Sequence, residues 1–254
     1  AESNAIKVSR ATTVHGAFFA SARHHGAKVA LKGDGGRGEA YTYAEAAELV
    51  CRFAAGLHHH GLVRGREIGL LADNCPEWCL AYLAILAAGC TVVPIDANLK
   101  PQEVAYIAGH GRLQTIVASG RHGDIVLGLP GARLVSLSGD DPHGWRSMLA
   151  AGELSEYPPA EVAALIYTSG TTGTPKGVEL THRNILANLE GIRDSLRFDE
   201  QDVFLSVLPL HHTFETTCGF ITPLTSGCTI AYARSLRSKE ILEDIAYNKV
   251  TVMC

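Results

Sequence analysis

From Thr168 to Lys176 the chain reads TSGTTGTPK, a run of hydroxyl and glycine residues closed by one lysine. Gly170 and Gly173 carry no Cβ, so backbone N–H groups there can approach an anion closely and curve around it. Thr168, Ser169, Thr171, Thr172 and Thr174 offer hydroxyl donors, Lys176 adds a positive charge, and Pro175 stiffens the backbone beside it. Polyphosphate is the anion that needs this many donors with so little net charge. Gly170 and Lys176 keep the spacing of the nucleotide triphosphatase pattern G-x-x-x-x-G-K-[ST]. However, Pro175 stands at its second glycine and Gly177 at its magnesium-binding hydroxyl. The following VELTH favours extended chain, where that pattern runs into a helix. An ordinary P-loop triphosphatase is therefore disfavoured. The strand before the loop and its lone lysine disfavour a merely flexible surface loop.

The elements that must position this loop are legible on both sides. VAALIYTS (162–169) reads as a strand that would present the loop at the carboxyl edge of a sheet, where open α/β folds bind ligands. Upstream, Thr42 and Glu45 have capping-box spacing and open a helix that ends at Gly61. REIGLLA (66–72), CTVVPID (90–96) and LQTIVAS (113–119) read as buried strands. Helices beginning at Pro76 and Pro101 lie between them. The segment 120–160 carries weaker signals, with a strand candidate at 133–137 and a helix near Trp145. Downstream come a helix over 183–196, a strand over 202–210, a helix over 213–226, a strand over 228–233 and a helix over 238–248. Nearly continuous apolar strands alternating with helices predict an α/β fold with a parallel sheet covered on both faces. KVTVMC (249–254) begins as another strand and stops without a turn, so the expectation is that the natural chain continues.

Composition narrows the function classes. The 254 residues are 46% hydrophobic and 19% charged, with a formal charge of -4. A mildly acidic balance without a basic run gives no electrostatic reason to expect nucleic acid binding. The first ten residues hold no apolar run of the secretory kind. CPEWCLAYLAILAAGC (75–90) is shorter than the roughly 20 residues a membrane span requires and reads as a buried helix. Seven cysteines scattered through apolar segments suggest reduced thiols and a cytoplasmic location. Cys75 and Cys79 are expected to pack as small hydrophobes, not to bind zinc. His58–His60 point about 100° apart on a helix, so a solvated helix end is expected in place of a metal site.

The run YTSGTTGTPKGVELTHRNILAN (167–188) resembles the signature of the adenylate-forming superfamily, which includes acyl-CoA synthetases, peptide-synthetase adenylation domains and luciferases. TYAEAAELVCRFAAGL (42–57) resembles the family's first helix, NCPEWCLAYLAILAAGCTVVPIDANLKPQEVAYI (74–107) its second block, and LPLHHTFE (208–215) its L-P-L-x-H-x-[FY] block. Together these blocks cover most of residues 40–230. The resemblance implies the large N-terminal AMP-binding domain of such enzymes, cut short, with two partial flavodoxin- or Rossmann-like sheet-and-helix subdomains. One would use about 65–180, the other about 1–64 plus 195–254. The C-terminal domain and the aromatic-Gly-x-T-E block would lie beyond Cys254, so this chain alone is expected to adenylate weakly or not at all.

The implied reaction is attack of a carboxylate on the α-phosphate of ATP, giving an acyl-adenylate and pyrophosphate. The acyl group then passes to the thiol of coenzyme A. Thr168, Ser169, Gly170, Thr171, Thr172, Gly173 and Lys176 match the family's phosphate-binding loop. Lys176 and His212 match residues implied in catalysis, and Thr168 matches the threonine that helps hold magnesium. His212 would lie near the acyl carboxylate; His211 is assigned no role. Glu215 after the aromatic residue resembles long-chain enzymes, so a fatty acid is the leading substrate. Peripheral membrane contact fits such a substrate. The alternatives are transfer to a carrier-protein thiol and a catalytically silent nucleotide-binding scaffold.

Overall fold

The computed structural model describes residues 11–61, 67–138, 141, 144–149, 157–168 and 175–254. In chain order its main elements are α1 (Val14–His25), β1 (Val29–Lys32), β2 (Ala40–Thr42), α2 (Tyr43–His59), β3 (Glu67–Leu71), α3 (Pro76–Ala87), β4 (Thr91–Ile95), α4 (Pro101–His110), β5 (Thr115–Ala118), α5 (Gly123–Leu127), β6 (Arg133–Ser136), β7 (Val162–Thr168), β8 (Lys176–Thr181), α6 (His182–Ser195), β9 (Val203–Ser206), a π-helix (Glu215–Ile221), α7 (Thr222–Thr225), β10 (Thr229–Tyr232), α8 (Ser238–Asn248) and β11 (Val252–Met253). They form two compact units. One comprises Ala1–Glu48, Asn74–Pro76 and His182–Cys254, and the other Leu49–Asp73 and Glu77–Thr181.

The second unit holds the six-stranded sheet, in the order β6-β5-β3-β4-β7-β8. Every residue of β4 and β5 is buried, as expected of strands covered on both faces. Leu71, Val93, Ile95, Val104, Ile107 and Ile116 form part of one core beneath α4 and α5. Helix α3 is buried all round, with Trp78 through Leu86 at most 2% exposed. That explains an apolar helix without a polar stripe. Among the described residues no helix is long and apolar enough to cross a membrane.

The sheet departs from the parallel expectation at its edge, where β8 pairs antiparallel to β7. The cause is chain length. A parallel return needs a crossover of a dozen or more residues, and only seven separate Thr168 from Lys176.

The first unit carries the five-stranded sheet β11-β9-β10-β1-β2, parallel except for the β1–β2 hairpin. Helix α1 is capped by Thr13, whose Oγ1 accepts from the Gly16 N–H at 3.1 Å. The capping box read at Thr42 is present: its N–H donates to Glu45 Oε2 at 2.8 Å, and Glu45 N–H donates to Thr42 Oγ1 at 3.2 Å. The histidine run differs from expectation. His59 and His60 are exposed, but His58 donates from Nε2 to the Ala88 carbonyl at 2.7 Å and stacks on Tyr157 with ring centroids 3.3 Å apart. A flat ring with one polar edge serves better there as packing than as solvated charge.

Candidate functional site

Strands β7 and β8 bracket the hydroxyl-rich loop. Their register sets Tyr167 opposite Gly177 and Thr168 opposite Lys176, so the last hydroxyl before the loop and the lysine after it are cross-strand neighbours. Both side chains are exposed, at the carboxyl end of β7, where open sheets leave room for ligands. Ser169, Gly170, Thr171, Thr172 and Gly173 lie outside the described residues. The rim is held from below by Tyr167, whose hydroxyl bonds His110 Nδ1 at 2.7 Å and thereby ties β7 to α4. Burial raises the Tyr167 pKa, with Tyr106 and Glu67 adding to the shift. Gly177, where the triphosphatase pattern has a hydroxyl residue, has a local reason. A Cβ there would stand 2.9 Å from Leu165 Cδ1 and 3.7 Å from Tyr167 Cζ.

His212 belongs to the first unit, in the turn between β9 and the π-helix. Its ring is exposed and its backbone is pinned. The His212 N–H donates to the Pro209 carbonyl at 3.1 Å, and the His212 carbonyl accepts from the Thr216 N–H at 2.9 Å and Oγ1 at 3.0 Å. His211 lies half-buried beside it, with ring centroids 4.2 Å apart.

The residue that organises this turn was not singled out from the sequence. Asn74 donates from Nδ2 to Ser206 Oγ at 3.2 Å and to the Leu208 carbonyl at 2.6 Å, and its Oδ1 accepts from the Leu210 N–H at 2.9 Å. Its partners lie more than 130 positions away, so the only sequence signal was its place at the head of a recognised block. Asn74→Ala would leave the Leu210 N–H and the Leu208 carbonyl without this partner. The expected cost is about 1–3 kcal/mol in a urea unfolding series, carried mainly by the part-buried Leu210 N–H, because water can replace the partner of the exposed Leu208 carbonyl. A change within about 0.5 kcal/mol would mean that the turn does not depend on Asn74.

Beside the turn the first unit has an open apolar cavity of about 820 Å³. Ile192 and Leu196 from α6 and its end, Phe204 from β9, Phe214 and Cys218 around the π-helix, and Met253 from β11 contribute to its wall. Its size falls within the roughly 300–1,000 Å³ of small-molecule pockets. Burial raises the pKa values of the Cys218 and Cys254 thiols on this wall, with the Glu215 charge adding, and brings Cys254 to about 11. The neutral thiol is thus the favoured form of both, and they serve the wall as apolar lining. Cys79 is fully buried and Cys75 half-buried.

Residues 18–254 match the family model described as AMP-binding enzyme. The chain is 32% identical over 259 residues to long chain acyl-CoA synthetase 7, peroxisomal, of Arabidopsis thaliana, covering 93% of this chain and 37% of that protein. It is 31% identical over 259 residues to 4-coumarate–CoA ligase 3 of Oryza sativa subsp. japonica, covering 97% of this chain and 47% of that protein. The chain thus spans less than half the length of these curated relatives. Among solved structures, a long-chain-fatty-acid CoA ligase from Rhodopseudomonas palustris superposes with a TM-score of 0.85 at 23% identity, over 95% of this chain and 62% of that one. ATP-bound MatB from the same organism gives 0.83 at 24% identity, over 95% of this chain and 48% of that one. At these identities the structural likeness speaks for the fold: two parallel-rich sheets with flanking helices.

Proposed function

The chain belongs to the AMP-binding enzyme family, and on that premise we propose that it is part of an ATP-dependent acid–thiol ligase. In this reading a carboxylate attacks the α-phosphate of ATP, pyrophosphate departs, and the acyl-adenylate passes its acyl group to coenzyme A. The observation that carries the reading is the Thr168–Lys176 pair at the mouth of the loop. As the bond to the leaving group breaks, negative charge moves onto the β- and γ-phosphates. Lys176 and the hydroxyls of Thr168, Ser169, Thr171 and Thr172 stabilise that charge, while Gly170 and Gly173 let backbone N–H groups approach it. The exposed His212 ring orients the acid's carboxylate, and the neighbouring apolar cavity takes its tail.

Thr168 is the residue here that would meet magnesium. Among the described residues no group of three or more His, Cys, Asp or Glu side chains could hold a metal. In this reading the exposed Thr168 hydroxyl would help hold the ion, an oxygen ligand of the kind magnesium takes. Bound there, it would neutralise phosphate charge.

The leading acid is a fatty acid, on the strength of the apolar cavity and Glu215 after Phe214. The test is ATP–pyrophosphate exchange by the full-length protein with long-chain fatty acids, 4-coumarate and short acids. Acid-dependent exchange, fastest with a long-chain acid, is expected. ATP binding without exchange for any acid would leave the scaffold reading in its place. Supplying coenzyme A or a carrier-protein thiol as acceptor then separates the two ligase readings.

A further inference from the structure

Glu215 is a carboxyl group in an unusual place. Its residue is 1% exposed, and Oε1 accepts from Ser206 Oγ at 2.6 Å, while the buried Oε2 has no hydrogen-bond partner among the described residues. No salt bridge to it occurs among the described residues. A buried carboxylate held by one hydroxyl is costly to keep ionised. Burial accordingly pushes its pKa up to about 7, against the opposing pull of the Ser206 bond. The fold makes room for this group deliberately. A Cβ at Gly219, one turn on, would stand 2.4 Å from the Glu215 Cδ and Oε1 atoms.

The group sits where two features of the site meet. On its own widened turn, Phe214, Thr217 and Cys218 face the apolar cavity, and Thr216 bonds back to the His212 carbonyl. Widened turns of this kind recur at functional positions. Across from it, the Ser206 hydroxyl that donates to Glu215 also accepts from Asn74, which holds the Leu208 and Leu210 backbone leading to His212. The carboxyl thus joins the cavity wall to the histidine turn through one continuous set of hydrogen bonds.

We propose that Glu215 is a positioning residue that sets the cavity wall and the His212 turn in register, so that an acid whose tail fills the cavity brings its carboxylate to His212. The proposal rests on the ligase reading above. It assigns Glu215 no contact with the reacting atoms; it acts through Ser206, Asn74 and the π-turn.

The experiment is steady-state exchange by the full-length enzyme, with KM measured separately for the acid and for ATP. Glu215→Ala is expected to raise the acid KM about tenfold, the equivalent of one good hydrogen bond, and to leave the KM for ATP within about twofold. Glu215→Gln, which keeps the shape and an acceptor for Ser206, is expected to recover most of that loss. Ser206→Ala should reproduce the rise, and the double variant Ser206→Ala/Glu215→Ala should be no worse than either, because both remove one coupling. Equal shifts in both KM values, a lowered melting temperature with unchanged KM for the acid, or additive single effects would each overturn the proposal. Should Glu215→Ala fail to fold, Ser206→Ala decides alone, and an unchanged acid KM would then refute it. Wild-type enzyme that exchanges with no acid fails the ligase reading itself, a separate outcome.

Discussion

Lys176→Ala in the full-length protein is expected to slow acid-dependent pyrophosphate exchange by about 10²–10³-fold, the usual effect of removing one preorganised donor from developing charge. The fold should tolerate the change. Lys176 is exposed at the end of β8, and its contribution to the sheet is backbone pairing with Thr168, which alanine retains. Surface substitutions of this kind usually move stability by no more than about 0.5 kcal/mol. Lys176→Arg keeps the charge on a larger, planar group and should retain part of the rate. Exchange kinetics unchanged in Lys176→Ala would remove this lysine from the mechanism.

The second large effect is on stability as a function of pH, where two kinds of buried group pull in opposite directions. His182 accepts from the Val14 N–H at Nδ1, 3.2 Å away, and its ring lies 5.5 Å from that of His15. Burial lowers both histidines from 6.5 to about 4, with the charge of His182 adding to the shift of His15. The unfolded chain takes up these protons near 6.5 and the folded chain only near 4. Their contribution is therefore full above 6.5 and is lost as the pH falls toward 4. Glu215 behaves in the reverse sense. It ionises near 4.5 unfolded and near 7 folded, so its contribution is full below 4.5 and is lost as the pH rises to 7. Each group changes stability by about 1.4 kcal/mol per pH unit within its window. Two histidines outweigh one glutamate, which puts the maximum these groups produce near pH 6.5. The clean readout is a difference. Relative to wild type, Glu215→Gln should gain about 3 kcal/mol between pH 4.5 and pH 7 in urea midpoints at constant m. Superimposable profiles would mean that the Glu215 carboxyl is not held neutral by burial.

What the residues announced in advance was what depends on near neighbours or on long apolar runs. β4 and β5 were readable because strands buried on both faces need no alternation, and α3 because an all-apolar segment of that length is a core helix. The strands on either side of the loop were readable because VAALIYTS and VELTH both favour extended chain. Elements stabilised from far away were not. β1 pairs with β10 some 200 positions on, and the β1–β2 hairpin turns through Gly35 and Gly36 at φ of 61° and 84° inside a polar stretch without an apolar pattern. The helix over 213–226 was foreseen as a helix, yet nothing in its periodicity marks the widened turn that Glu215 and Gly219 share. A glutamate normally signals surface, so its burial could be recognised only once Ser206 and the cavity wall were in place. Asn74 escaped notice for a similar reason: asparagine in a turn usually serves its own backbone, and here it serves residues 206–210.

In the proposed reaction a carboxylate oxygen attacks the α-phosphate while pyrophosphate departs past Lys176. It can be read directly by supplying the full-length enzyme with a long-chain acid labelled with ¹⁸O in both carboxylate oxygens, together with ATP and a thiol acceptor. Attack at the α-phosphate makes the carboxylate oxygen the bridge of the acyl-adenylate. Thiol attack on the acyl carbon then breaks the bond between that carbon and the bridging oxygen, so the account predicts one ¹⁸O in each AMP and none in the pyrophosphate or orthophosphate. Label in orthophosphate, or AMP formed without label, would contradict it.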